Sequence, residues 1–233
     1  MVMEYTQENE VAVCKYCHKS FRQAKTLAVH QCELKRRWQQ EREVGVQLGL
    51  QSYLRFYEYT QGSAKLKTYE EFVGFPYYSA FVKFGQYLVQ IRAINIPGFL
   101  DQLLKNNYKL DQWTKDIYYD DYLYECLRKE HPTTALERSL LEMQRWADDN
   151  NTQFSSFFVD CSPNKICDMI VNGRISPWVL YNCSTGISVL SDLREEQISK
   201  VFRWIAPEYW QRKFSDYVAD TELIKSVLTA ANL

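Results

Sequence analysis

The chain has 233 residues, a formal net charge of −1, 46% hydrophobic residues and 24% charged residues. This balance is typical of a folded globular protein and excludes a disordered or low-complexity chain. No apolar run reaches the roughly 18 residues of a membrane span, and the acidic, polar residues 1–10 do not resemble a secretory signal. We therefore expect a cytoplasmic protein of one or two domains without a membrane partner.

Near the amino terminus, four soft metal ligands occur within nineteen residues, in a chain with only seven Cys and three His. Thiolates and an imidazole at this spacing predict a tetrahedral site for one structural Zn²⁺. Phe21 and Leu27 lie between the ligand pairs, and the stretch resembles a C2H2 zinc finger, whose small core is such an aromatic and aliphatic pair. We call this stretch the finger, and its predicted ligands are Cys14, Cys17, His30 and Cys32.

The last ligand departs from the C2H2 pattern. In that pattern roughly three to five residues precede it, whereas here only Gln31 does. Residues i and i+2 of a helix lie about 200° apart, so His30 and Cys32 bind one ion only if the helix ends near Gln31. The alternative is that Cys32 is a buried thiol and that water or a partner fills the fourth position. His18 is interpreted as a solvated loop residue.

Charge is distributed unevenly. Residues 14–42 contain eight Lys or Arg and two Glu, a net charge of +6, whereas residues 43–233 carry a net charge of −4. A basic end on a mildly acidic body favours contact with DNA phosphates. The alternative is a solvated, charge-rich helix. The predicted nucleic-acid contacts of this segment are Lys19, Arg22, Lys25 and the basic run Lys35, Arg36 and Arg37.

The first half of the chain is predicted to be helical after the hairpin of the finger. The finger helix is expected to continue to Arg42, and Gly45 and Gly49 to loosen the chain before a second helix. Thr68 and Glu71 form a capping box. Apolar residues at three- and four-residue steps then indicate one buried helix face at Phe81, Phe84, Leu88 and Ile91.

The second half shows further helix signals. Asp111 is predicted to cap a helix that carries Trp113. Ser162-Pro163 and Ser176-Pro177 place Ser at the N-cap and Pro at the first helical position. Because no stretch alternates like a strand, we predict an all-α, two-lobed body with a small ββα-like finger. The predicted domains are 1–42, 43–150 and 151–233, and the polar run at 148–151 marks the boundary between the last two. Further helices are predicted at 195–205, 207–217 and 220–231.

Enzymatic motifs are absent from the sequence. There is no GxxxxGK[ST] loop for phosphate, no HExxH and no GxSxG. The acidic pairs Asp120-Asp121 and Asp148-Asp149 are adjacent residues, which do not share a helix face. We therefore expect neither enzymatic activity nor a small-molecule substrate.

From the second helix onward, the chain resembles the replicative-helicase loaders of T-even-type phages. The resemblance lies in the aromatic run Tyr53–Tyr57, the Gly62–Lys67 loop and three segments at 77–88, 154–176 and 209–217. Those loaders are small, two-domain, all-α proteins without enzymatic activity that bind forked DNA, a helicase and a single-strand-binding protein. They begin directly with a DNA-binding helical domain, so the finger is a departure.

The resemblance implies a phage replication accessory protein in the cytoplasm of an infected host cell. It would bind single-stranded or forked DNA without sequence preference and dock a helicase or a single-strand-binding protein. Arg212 and Lys213 are a second predicted DNA contact, although Trp210 and Phe214 beside them also suit a core face. Two alternatives stay open: a zinc-finger transcription regulator, and a virion or scaffold protein in which zinc is purely structural.

Overall fold

A computed structural model of the chain describes residues 11–62 and 67–233. Residues 1–10, which were predicted not to be a secretory signal, lie outside these ranges. Most of the predicted loop from Gly62 to Lys67 also lies outside them. The chain divides into two compact units, Met1–Lys115 and Asp116–Leu233. Among the described residues, no helix is both long enough and apolar enough to cross a membrane.

The first unit combines a β-hairpin with α-helices. Strands β1 (Ala12–Val13) and β2 (Ser20–Phe21) pair antiparallel, with Ala12 opposite Phe21. A 3₁₀ turn at Leu110–Gln112 lies near the end of the unit. The helices are α1 (Ala24–Val29), α2 (Glu33–Gln39), α3 (Val44–Gln61), α4 (Tyr69–Val73), α5 (Tyr78–Gln90) and α6 (Ile96–Lys105).

Helices α3 and α5 approach closely because glycines lie where they cross. A Cβ atom on Gly85 would lie 2.0 Å from the carbonyl oxygen of Gly45 and 2.6 Å from the amide nitrogen of Gly49. The prediction that Gly45 and Gly49 loosen the chain is wrong, since both lie within α3. Without side chains there, the two backbones pack directly against each other.

Aromatic rings form much of the core of the first unit. Tyr53 of α3 is buried, and its ring centroid lies 5.1 Å from that of Phe72 and 5.7 Å from that of Phe81. Phe81 in turn lies 6.0 Å from Trp113, with the two rings nearly perpendicular. Edge-to-face packing of this kind favours rings in fixed orientations. The high aromatic content of this unit therefore serves its core first.

The second unit is helical throughout. A 3₁₀ turn at Phe154–Ser156 leads into the first of several short helices. Trp178 and Trp210 are buried in its core with their ring centroids 6.2 Å apart. The helices are α7 (Asp116–Lys129), α8 (Pro132–Asn150), α9 (Phe157–Asp160), α10 (Pro163–Val171), α11 (Pro177–Leu180), α12 (Ser184–Ser191), α13 (Glu195–Ile205), α14 (Pro207–Asp216) and α15 (Val218–Ala230).

A buried ion pair ties α8 to its neighbours in the second unit. Arg138 of α8 donates hydrogen bonds to both carboxylate oxygens of Glu130 and to the carbonyl oxygen of Gly173, the last at 2.6 Å. Burial raises the pKa of Glu130, although Arg138 opposes this shift. The pair joins the end of α7 and the turn after α10 to one side chain.

The predicted all-α fold is confirmed. The capping box of Thr68 and Glu71 is present, and Ser162 and Ser176 are N-caps with Pro at the next position. The helix predicted from Asp111 is wrong: that residue lies in a 3₁₀ turn, and α7 begins only at Asp116.

The chain divides earlier than the sequence predicted. Residues 148–150 form the last turn of α8, and Asn151 ends the helix in the left-handed conformation, with a φ of 52°. Polar residues at this point are accounted for by a solvated helix end. The observed division lies between Lys115 and Asp116 instead of after residue 150.

Candidate metal centre

The first two predicted ligands lie on the turn between β1 and β2. Backbone hydrogen bonds from Cys14 to the carbonyl of Lys19, at 2.9 Å, and from His18 to the carbonyl of Cys14, at 2.8 Å, close the turn. His18 has a φ of 56° and an exposed side chain, as a loop residue should. Cys14 is buried and Cys17 is half-buried, so neither thiol is fully exposed to solvent.

The other two predicted ligands lie between two helices. Helix α1 ends at Val29, and His30 has an extended backbone with φ −64° and ψ 124°. Cys32 is the N-cap of α2, and its sulfur accepts a hydrogen bond from the backbone N–H of Lys35 at 3.4 Å. The condition under which His30 and Cys32 can share one ion, a helix end near Gln31, is therefore met. The predicted continuous helix through this segment is wrong for the same reason.

The four ligand atoms converge on one point. One atom each from Cys14, Cys17, His30 and Cys32 lies within 4.8 Å of the other three. Sγ of Cys17 is 3.3 Å from Nε2 of His30. The ring of Phe21 packs against the imidazole of His30 with centroids 4.7 Å apart, which restrains the orientation of this ligand. Three thiols and one imidazole arranged in this way could hold one metal ion.

The turn that carries Cys14 and Cys17 favours a thiolate at Cys14. The pKa of Cys14 is lowered to about 7, chiefly by a hydrogen bond from the backbone N–H of Cys17, which outweighs the effect of burial. For Cys17, the backbone N–H of Lys19 lowers the pKa, but burial and the neighbouring thiols outweigh it and the pKa is raised. Cys14 is therefore close to ionisation near neutral pH, as a metal-binding thiol must be.

The finger carries four cations and no carboxylate between Cys14 and Cys32. Lys15, Lys19, Arg22 and Lys25 are all exposed. None of the four forms an ion pair with another residue that the structure describes. Lys15 and Lys19 lie over neighbouring rings, with Nζ 4.9 Å from the centroid of Tyr16 and 5.8 Å from that of Phe21.

The basic run is less exposed than its sequence suggests. Nζ of Lys35 donates to the carbonyl oxygen of His30 at 3.0 Å. Arg36 is exposed and pairs with Glu33. Arg37 is only 15% exposed and also contacts Glu33. Of the three cations, only Arg36 is exposed, and it is paired with Glu33, whereas Lys35 and Arg37 contact backbone carbonyl groups of the protein.

The finger is attached to α4 by side chains that the sequence did not single out. Arg37 donates to the carbonyl oxygen of Val73 at 2.6 Å, and its guanidinium lies 4.4 Å from the ring centroid of Tyr78. The hydroxyl of Tyr69 donates to the carbonyl oxygen of Arg37 at 2.7 Å, and Trp38 packs edge-on against Tyr69. No sequence motif marks these contacts, because their partners lie more than thirty residues apart.

Arg212 and Lys213 do not form a matched basic pair. Arg212 is exposed, whereas Nζ of Lys213 donates to the carbonyl oxygen of Arg128 at 2.7 Å. Trp210 is buried, and the ring of Phe214 lies 5.8 Å from it. Trp210 and Phe214 therefore belong to a core face, which is the alternative that was predicted for them from the sequence.

No protein-family model, no curated protein and no solved structure matches this chain. The candidate metal centre and the charges around it are consequently interpreted from their own geometry.

Proposed function

We propose that the chain is a zinc-stabilised DNA-binding protein whose finger holds one structural Zn²⁺. Three thiolates and one imidazole are preferred zinc ligands in closed structural sites. Zinc bonds of about 2.3 Å to sulfur and about 2.0 Å to nitrogen place tetrahedral ligand atoms roughly 3.5–3.8 Å apart. Ligand atoms that already lie within 4.8 Å of one another need only small side-chain adjustments to reach that geometry.

Elemental analysis of the purified protein tests the metal assignment. We expect about one zinc per chain in the natural protein, and none in a Cys14→Ser/Cys17→Ser variant, because each lost thiolate removes a ligand. Cys126→Ser is the matched control, since Cys126 lies in the second unit and should leave the zinc content unchanged. An unchanged zinc content in the double variant would exclude the site.

The observation that carries the DNA-binding proposal is the charge of the finger. Four exposed cations lie within residues 15–25 without a carboxylate among them, which makes this stretch positively charged. Free lysine and arginine side chains contact phosphates and release counterions, which makes binding depend on salt and not on sequence. The folded finger would present these cations only when its metal is bound.

Fluorescence anisotropy with single-stranded, duplex and forked DNA at two salt concentrations tests this proposal. Lys19→Ala/Arg22→Ala/Lys25→Ala should weaken binding to all three DNAs. The slope of log K against log salt should fall by about 2–3, since each phosphate contact contributes about 0.7–0.9. The control Lys83→Ala/Lys115→Ala/Lys165→Ala removes three exposed cations elsewhere and should change little. Equal effects of the two triple variants would refute a DNA-binding role for the finger.

We extend the proposal to a replication role on the strength of the resemblance to helicase loaders. In this role the helical units would dock a helicase or a single-strand-binding protein while the finger contacts a fork. A preference for forked over duplex DNA supports this role, because a fork is recognised by shape and needs few base contacts. Sharp sequence preference would instead favour a transcription regulator.

A purely structural zinc site is the second candidate function. The contacts of Arg37 with Val73 and of Trp38 with Tyr69 favour it, because they attach the finger to α4. In that case the metal fastens the amino-terminal segment to a protein-binding body. The absence of any salt-dependent DNA binding, together with one zinc per chain, would establish this candidate.

A further inference from the structure

The first unit contains a pocket of about 400 Å³ that is separate from the metal centre. It lies between the second half of α3, the turn from α4 to α5 and the segment that follows α6. Its volume falls within the range of about 300–1,000 Å³ that is typical of ligand sites. We call it the aromatic pocket, because seven of the twelve lining residues that the structure describes carry aromatic rings.

The inner wall of the aromatic pocket is closely packed. Phe81 and Trp113 line it, and each is only 1% exposed. Their ring centroids lie 6.0 Å apart, and Phe56 lies 5.9 Å from Phe81. Nε1 of Trp113 donates to the carbonyl oxygen of Tyr108 at 2.9 Å, which fixes the orientation of the indole. Phe81 and Trp113 therefore form a packed floor, and the ring faces open to a flat ligand are those of Tyr59 and Tyr77.

The rim of the aromatic pocket is open and carries a cation. Tyr59 and Tyr77 line it and are 48% and 63% exposed. Lys109 also lines it, is exposed, and forms no ion pair with another residue that the structure describes. No lining residue in the described part of the chain carries a carboxylate. Among the described lining residues, the pocket thus joins ring faces to one positive charge and to no negative one.

We propose that the aromatic pocket binds an unpaired base of single-stranded nucleic acid, with Lys109 contacting the adjoining phosphate. Aromatic side chains stack on any base, and a neighbouring cation tracks the backbone. A base within a duplex has both faces covered and cannot enter. An aromatic anchor of a partner protein would match the rings but would leave Lys109 without a complementary charge. This proposal concerns residues outside the finger and fails or succeeds separately from the DNA-binding role of the finger.

Titration of the full chain with fluorescently labelled oligothymidylate and with duplex DNA tests the pocket. Tyr77→Ala removes an exposed ring, and Thr60→Trp fills the mouth from an exposed helical position. Each should weaken single-strand binding by about tenfold and leave duplex binding unchanged. Lys109→Ala should lower the single-strand salt slope by about 0.7. Phe202→Ala, which removes an exposed ring from the second unit, is the matched control.

Helix content and the unfolding transition of each variant are compared with those of the natural chain. If Tyr77→Ala fails to fold, Thr60→Trp decides alone, because it removes no core contact. Absence of oligothymidylate binding by the natural chain would overturn the pocket proposal, as would unchanged affinity of Thr60→Trp. A tryptophan-containing peptide that loses affinity in Thr60→Trp, while oligothymidylate does not, would overturn it in favour of a protein ligand.

Discussion

Nη1 of Arg37 lies 2.6 Å from the carbonyl oxygen of Val73, a residue that is only 2% exposed. This hydrogen bond joins α2, the helix that Cys32 caps, to α4 of the helical body. Arg37 was predicted from the sequence to contact DNA, but in the fold it links α2 to α4. The cation beside it, Arg36, has a side chain that is 64% exposed.

Replacing Arg37 and Arg36 separately should distinguish structure from binding. Arg37→Ala should lower the free energy of unfolding by about 1.5–3 kcal/mol, because it removes a charged donor from a buried carbonyl group. Arg36→Ala should lower it by no more than about 0.5 kcal/mol, since its pair with Glu33 is at the surface. Urea unfolding measures both values. Equal losses would show that Arg37 does not hold the finger to α4.

Cys32 should prove to be both a metal ligand and a helix cap. Cys32→Ser keeps an N-cap acceptor for Lys35 but removes the thiolate, so zinc affinity should fall while α2 remains capped. Cys32→Ala should lose zinc affinity to a similar degree and cost about 1 kcal/mol more in stability. Competition with a chromophoric chelator and urea unfolding provide the two readings. Full zinc affinity in both variants would mean that water or a partner supplies the fourth ligand.

Gly85→Ala should be strongly destabilising, because the new methyl group would clash with the backbone of α3 at Gly45 and Gly49. We expect a loss of about 3 kcal/mol in the free energy of unfolding. Gly74→Ala is the matched control: its Cβ would meet no atom closer than 3.7 Å, so its stability should stay near that of the natural chain. Thermal unfolding of the two variants gives the comparison, and a tolerated Gly85→Ala would contradict the close packing described here.

Arg138→Met should destabilise the second unit by about 3–5 kcal/mol near neutral pH, because it leaves the Glu130 carboxylate buried without its partner. Burial already raises the pKa of Glu130 above its ordinary value of 4.5. Loss of the arginine raises this pKa further, so the folded variant loses stability as the pH rises through it. The deficit should therefore shrink as the pH falls from this raised pKa towards 4.5, and it should be small below about 4.5.

The control is the double variant Glu130→Gln/Arg138→Met. It should recover much of the stability that Arg138→Met loses, because no buried charge remains. Urea unfolding at neutral and acidic pH measures the single and double variants. A deficit that does not depend on pH, or that the double variant does not relieve, would show that the charge of Glu130 is not its cause.

Several features could be predicted from the sequence because they depend on residues only a few positions apart. A serine or threonine side chain caps the helix that begins at the next residue, which is why the starts at Thr68, Ser162 and Ser176 were predicted correctly. Helical geometry stated the condition under which His30 and Cys32 can share one ion, a helix end near Gln31, but the predicted helix itself continued to Arg42. The all-α class followed from many such local signals.

The tertiary structure decided the features that depend on distant partners. Gly45 and Gly49 appeared to be flexible points until Gly85 was found packed against them. Arg37 appeared to be a free cation, and only the fold brings Val73 to its guanidinium. The division after Lys115 follows the density of contacts, which polar residues at a helix end do not reveal. Sequence alone determined the helix starts at Thr68, Ser162 and Ser176 and the four residues of the candidate metal centre, because short-range geometry governs both. Which cations stay free, and which rings enclose a pocket, depends on packing between residues far apart in the chain.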